Sequence, residues 1–131
     1  MREILFRGKR KDNGEWIQGD LRHWNNGVGI HCDLLHRTIK VDSETVGQFT
    51  GLVDKAGKRI FEGDILRCFL GDYTDIGVVQ YDDRIAAYIV LFADGVLTFL
   101  DFFTAKVETW REVIGNIHDN QEFRKEGEFD G

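Results

Sequence analysis

Three observations make this a mainly β protein, built as a small barrel or sandwich. Short runs rich in Val, Ile, Phe and Tyr recur along the chain, and glycine turns separate them at short intervals. No stretch holds a 3.6-residue apolar period for three turns, so neither long helices nor a βαβ architecture is expected. The 131 residues contain no proline, and the turns therefore rest on glycine, asparagine and aspartate.

Ile4-Leu5-Phe6 opens as a short apolar run, and Glu15 to Leu21 is a second β-prone one. Between them, Asp12-Asn13-Gly14 predicts a hairpin of the type I′ kind, because Asn-Gly tolerates positive φ angles. Arg22 to Gly29 reads as a loop around Asn25-Asn26-Gly27. Val28 to His31 and Arg37 to Val41 read as short strands. Residues 42 to 48 look like a connection, and they divide an N-terminal β unit, residues 1–45, from a C-terminal barrel, residues 46–131. Two separate units and one compact domain both fit this pattern.

Phe49 to Val53 is a strand, turned at Asp54-Lys55-Ala56-Gly57 into Lys58 to Leu66. Gly63 within that last stretch predicts a bulge or tight bend. Ile76 to Tyr81 and Ala86 to Phe92 are clear strands. Asp94-Gly95 again carries primed-turn chemistry and leads into Val96 to Leu100. Val113 to Ile117 is the last strand, with Ile114 and Ile117 expected to face inward around a bend at Gly115-Asn116. Beyond His118 the tail is polar, with one short helical turn expected near Asn120 to Phe123 and a frayed end. Gly14 to Leu21 echoes Gly57 to Ile65, each running from a turn glycine to a Gly-Asp-apolar step. Similar bends in two hairpin strands explain this more simply than duplication.

A chain of this length buries roughly two-thirds of the surface it exposes when unfolded, so no metal or disulfide staple is required. Hydrophobic residues make up 42%, with ten Phe and three Trp as bulky core material. Cys32 and Cys68 lie far apart with no CxxC spacing, which indicates neither a disulfide framework nor a zinc knuckle. No run approaches the roughly 18 apolar residues of a membrane span, and Met-Arg-Glu does not open a signal peptide. A reduced, cytoplasmic protein without cofactors is the expectation. The net charge of −6, from 23 acidic and 17 basic side chains, opposes non-specific attraction to polyanions.

Phe49-Thr50-Gly51-Leu52-Val53-Asp54-Lys55-Ala56-Gly57-Lys58-Arg59-Ile60-Phe61-Glu62-Gly63-Asp64-Ile65 resembles the signature of the YopX-like family of phage and prophage proteins. The opening Arg2-Glu3-Ile4-Leu5-Phe6-Arg7 is similar to that family's start, and Val113 to Asn120 is similar to its end. Each block alone is weak, but the three stand in the family's order and bracket nearly the whole chain. The resemblance implies an SH3-like barrel in the C-terminal part and an origin in phage or prophage, hence a bacterial host. It implies no activity and brings no catalytic residues. Gly57, Glu62, Gly63, Asp64, Gly115 and Asn116 read as structural: glycine supplies bend angles, and Asp64 bonds neighbouring backbone N–H groups.

His23, His31, Cys32 and His36 are the sharpest candidate metal cluster. Their spacing fits no zinc template, and His31 and Cys32 point to opposite faces of a strand. Asp72, Asp75, Asp82, Asp83 and Asp94 offer carboxylates for a metal-assisted hydrolase, but turn aspartates explain them. No phosphate loop and no Ser/His/Asp context accompanies them, so an enzyme is not the favoured reading. Nucleic-acid binding is a stronger alternative. Arg2, Arg7, Lys9, Arg10 and Lys11 supply charge, while Trp16, Trp24, Tyr73, Phe102 and Phe103 are candidate stacking residues. Solvated charge and core packing account for most of these. The leading expectation is a non-catalytic module that binds a host or phage protein through aromatic anchors or an edge strand, with homo-oligomers as a variant of the same edge.

Overall fold

The apolar runs pair as antiparallel strands, because extended backbone must find its hydrogen-bond partners in neighbouring segments. The structure, a computed structural model, describes residues 3–100 and 110–120. Arg2, Phe102, Phe103 and the tail from Gln121 lie outside the described residues. The strands are β1 (Phe6–Lys9), β2 (Trp16–Trp24), β3 (Gly27–Cys32), β4 (Arg37–Val41), β5 (Gly47–Val53), β6 (Arg59–Phe61), β7 (Asp64–Leu70), β8 (Tyr73–Asp82), β9 (Ala87–Phe92), β10 (Leu97–Phe99) and β11 (Arg111–Asn116). A 3-10 turn at Ser43–Thr45 precedes β5. The fold is mainly β, with no α-helix among the described residues. Two sheets result, ordered β4-β3-β2-β1-β5-β6 and β10-β9-β8-β7-β11. The chain forms two compact units, Met1–Gly51 and Leu52–Gly131, with β5 running through the division.

In the first unit β2 is long enough to serve two partners. Its N-terminal half pairs with β1, Gly19 opposite Phe6, and its C-terminal half pairs with β3, Asp20 opposite His31. Strand alternation gathers Ile17, Ile30, Ile39 and Val41 into a core, with Phe6, Leu21 and Val28 packed against it. A single bridge between Arg10 and Val41, with N–H donation from Lys11 to the Lys40 carbonyl and from Asp42 to that of Lys9, curls this sheet. No continuous ladder follows the bridge.

The segment from Arg22 to Gly29 is not a loop. It is the end of β2 and the start of β3, with Trp24 opposite Gly27 and only Asn25-Asn26 between them. Gly27-Val28-Gly29-Ile30 does alternate with period two, but glycine stands where a polar side chain would normally mark the strand. The Asn-Gly and Asp-Gly turns are also not type I′. Gly14 and Gly95 take positive φ, +75° and +88°, whereas Asn13 and Asp94 do not. Their side chains instead accept backbone N–H groups, from Glu15 to Asn13 Oδ1 (2.9 Å) and from Val96 to Asp94 Oδ1 (3.0 Å).

In the second unit β7 to β10 form a meander, and β11 returns beside β7. One face buries Ile60, Leu66, Cys68, Val79, Val90, Phe92, Leu100 and Trp110. The other buries Ile65 and Val78, with Ile76, Leu91 and Ile117 against them. The barrel expected for residues 46–131 does not close among the described residues. β10 and β11 end the strand order on opposite sides, and β6 pairs in the sheet of β5 instead of sealing the gap. Ile114 does not face inward either. The register shifts between Val113, opposite Leu66, and Gly115, opposite Ile65, so Ile114 is the extra residue of a bulge and is exposed.

Candidate functional site

The basic cluster read from the N-terminus is divided by the structure. Arg7, Lys9 and Trp16 come together on one face, since Lys9 stands opposite Trp16 and Arg7 opposite Gln18. The Arg7 guanidinium carbon lies 4.7 Å and the Lys9 ammonium 5.6 Å from the Trp16 ring centroid. Both are within cation–π range, so this indole already faces two cations of its own chain. Arg7 is itself buried, and Arg10 forms a two-point pair with Asp12 at 2.9 and 2.7 Å. That hydrogen-bonded pair raises the Arg10 pKa and holds the Asp12 carboxyl below its ordinary value.

The family-like block is a pair of backbone clamps. Gly57 ends the Asp54–Gly57 turn with φ +82° and donates to the Asp54 carbonyl. The buried Asp54 carboxylate accepts N–H bonds from Ala56 and Lys58 (each 2.9 Å) on one oxygen and from Val113 (3.0 Å) on the other. Burial opposes its ionisation, but the three donors and the Lys58 charge outweigh burial and lower its pKa. At the second clamp Glu62-Gly63 turns β6 into β7. Asp64 accepts from the Phe61 N–H (2.8 Å), Gly63 donates to the Val79 carbonyl, and the Gly63 carbonyl accepts from Ile117. Gly115 and Asn116 sit at the end of β11, where Asn116 Oδ1 accepts from His118 and Asp119 and its N–H donates to Asn120 Oδ1. The sequence missed Asp54 and Arg111. The Arg111 guanidinium is wholly buried and donates to the carbonyls of Val53 and Leu100.

The remaining chemical candidates are dispersed. His31 meets Thr38 through Nδ1 (3.0 Å) and Asp33 through Nε2 (3.5 Å), while Cys32 packs on the core side. No three His, Cys, Asp or Glu side chains among the described residues are placed to hold a metal. Asp75, Asp82 and Asp94 accept nearby backbone N–H groups. Burial pushes the Cys68 thiol up to about 12, which keeps it protonated and unreactive.

A second aromatic constellation has no such covering. Trp24 is 39% exposed on the outer face of β2, and its indole lies along β3. A Cβ added to Gly29 would come 2.8 Å from Trp24 Cη2, and one added to Gly27 would come 3.9 Å from its Nε1. One edge of the ring, from Nε1 to Cη2, therefore reaches across the two glycines. Arg22, Gly29 and Lys40 form one transverse row on this face, and both cations are exposed. Asp20, His31 and Thr38 form the next row. Charge is also unevenly divided. Residues 1–51 carry 8 basic and 7 acidic side chains, and residues 52–131 carry 9 and 16.

A family model described as YopX protein matches residues 5–123. The chain belongs to the YopX family. The match takes in every strand of this YopX-family protein, from β1 to β11. The crystal structure of protein EF1440 from Enterococcus faecalis is similar in fold, with a TM-score of 0.54 at 21% identity, covering 94% of this chain and 99% of that one. Comparison with curated proteins gives no match. No helix among the described residues is long and apolar enough to cross a membrane.

Proposed function

We propose that this YopX-family protein is a non-catalytic protein-interaction module of phage or prophage origin, working in the bacterial cytoplasm on a host or phage protein. The observation that carries the reading is an apolar row on the second sheet. Ile65, Val78, Leu91 and Leu97 stand opposite one another across β7, β8, β9 and β10, so their side chains share a face. The row begins fully buried and ends at Leu97, 42% exposed, on a three-residue edge strand whose Phe99 is 50% exposed. An edge strand with no second neighbour among the described residues and with protruding apolar side chains suits an added strand from a partner with alternating apolar residues. The strand order supports an opened relative of the SH3-like barrel, a meander whose last strand returns beside its first.

The test is an affinity capture from nuclease-treated host lysate, using the wild type, Leu97→Lys and Phe99→Lys. A protein partner retained in stoichiometric amount by the wild type and lost from both variants supports the reading. Retention of no protein after nuclease, or equal retention by the variants, overturns it. Sedimentation of the purified protein identifies the case in which the added strand comes from a second copy.

A further inference from the structure

We infer that the outer face of β2, β3 and β4 is a binding site for single-stranded nucleic acid, with Trp24 stacking on a base and Arg22 and Lys40 holding the adjoining phosphates. This site lies in the first unit and is independent of the β10 edge.

The argument starts from the two glycines. On a strand whose other face is core, the outward positions normally carry polar side chains that fill the surface. At Gly27 and Gly29 nothing projects, and the Trp24 indole occupies the cleared ground. Its Nε1–Cη2 edge lies over Gly27 and Gly29, where added side chains would collide with it or touch it, while 39% of the residue remains open to solvent. An aromatic ring held in place before a ligand arrives loses little rotamer freedom on binding, which favours stacking. Base–indole stacking requires a base face free of its helical neighbours, so a single strand fits and a duplex does not.

The phosphate contacts follow from register. Arg22 and Lys40 flank Gly29 on either side, and strands lie about 4.8 Å apart, so the two cations bracket the indole at about 10 Å between backbones. Neither makes an ion pair among the described residues, in contrast to Arg10 and Arg84, which are tied to Asp12 and Asp82. Asp20, two residues back along β2, confines the cationic part of the face to the Trp24 end. The acidic excess that argues against polyanion binding belongs to residues 52–131, and residues 1–51 are close to neutral. Trp16 offers no equivalent site, because Arg7 and Lys9 already face its ring.

Fluorescence anisotropy of labelled oligothymidylate and oligouridylate across a salt series tests the site. Wild type is expected to bind with a log–log salt slope of about −1.4, the value for two phosphate contacts on a single strand. Trp24→Ala is expected to weaken binding between about fivefold and a hundredfold, Trp24→Phe by less, and Trp16→Ala not at all. Arg22→Gln with Lys40→Gln is expected to bring the slope close to zero. The tighter of the two oligonucleotides names DNA or RNA as the ligand. No saturable binding, unchanged affinity in Trp24→Ala, equal affinity for a duplex, or equal competition by polyglutamate each overturns the proposal. Circular dichroism shows whether the variants keep the fold, and the exposure of all three side chains predicts that they do.

Discussion

The two units place their charged residues in opposite ways. The first keeps an aliphatic core of Ile17, Ile30, Ile39 and Val41 and carries Lys11, Arg22, Arg37 and Lys40 exposed. The second buries Asp54, Asp64 and Arg111, exposed by no more than 2% each, and turns every one of them onto backbone groups. A buried charge bonded to the chain fixes loops, and it is unavailable to a ligand. An exposed charge beside an exposed ring fixes nothing locally and is free to recognise. Abundance of charge is therefore a poor guide to the binding surface, since the unit with more charged residues has more of them committed to its own backbone.

The sharpest way to break this contrast is to exchange the buried arginine. Arg111→Leu removes the donors to Val53 and Leu100, and each buried carbonyl left without one costs about 1–3 kcal/mol. We expect a loss of about 3 kcal/mol or more in urea unfolding. Arg111→Lys should recover little, because an ammonium cannot reproduce the planar fork that reaches two carbonyls. Arg22→Leu, on the outer face of the first unit, should leave the unfolding midpoint nearly unchanged. Equal effects at the two arginines would remove the distinction between structural and recognising charge.

The next effect is smaller and concerns glycine. Gly19 and Gly63 occupy the echoed Gly-Asp steps, but for different physical reasons. Gly63 turns with φ +88° between β6 and β7. Gly19 lies in a regular strand, where an added Cβ would run into the His31 carbonyl. Gly19→Ala forces β2 and β3 apart, and we expect a loss of about 1–3 kcal/mol, as for other overpacked sites. Gly57→Ala has positive φ (+82°) and open space around it, so it should lose only the conformational term of about 1–2 kcal/mol. A Gly57 variant less stable than the Gly19 variant would refute this ordering, in chemical denaturation under the same conditions.

These glycines also show what was legible in the sequence. The near-continuous apolar runs Ile76 to Tyr81 and Ala86 to Phe92 gave strands at the right places, because local pattern and burial on both faces of the sheet agree there. The Glu62-Gly63-Asp64 bend was legible too, since Gly and Asp have local reasons to sit in a corner. The β2–β3 hairpin was hidden, because Gly27 and Gly29 imitate a loop and their purpose depends on Trp24 across the strand pair. Arg7, Lys9 and Trp16 were correctly grouped, but sequence spacing cannot show that the ring faces those cations. Asp54 and Arg111 were missed for the same reason. Their distant partners lie 58 and 59 residues away in the chain and are backbone atoms with no sequence signature.

The smallest expected effect lies at Asp54 and is read from the acid limb of unfolding. Its folded-state pKa is lowered from the ordinary 3.8 despite burial, because the N–H groups of Val113, Lys58 and Ala56 bond the ionised form. The unfolded chain then binds the proton first as pH falls. Asp54 therefore contributes its stability above about pH 3.8, and that contribution declines as pH drops from there through the lower folded value. Asp54→Asn keeps one acceptor oxygen but has no proton to gain. Its stability at neutral pH should fall modestly, while the acid limb of its unfolding curve should be flatter than that of the wild type. Parallel acid limbs would mean that the Asp54 clamp bonds the neutral and ionised carboxyl equally well, and the contrast between the units would then rest on Arg111 and Asp64 alone.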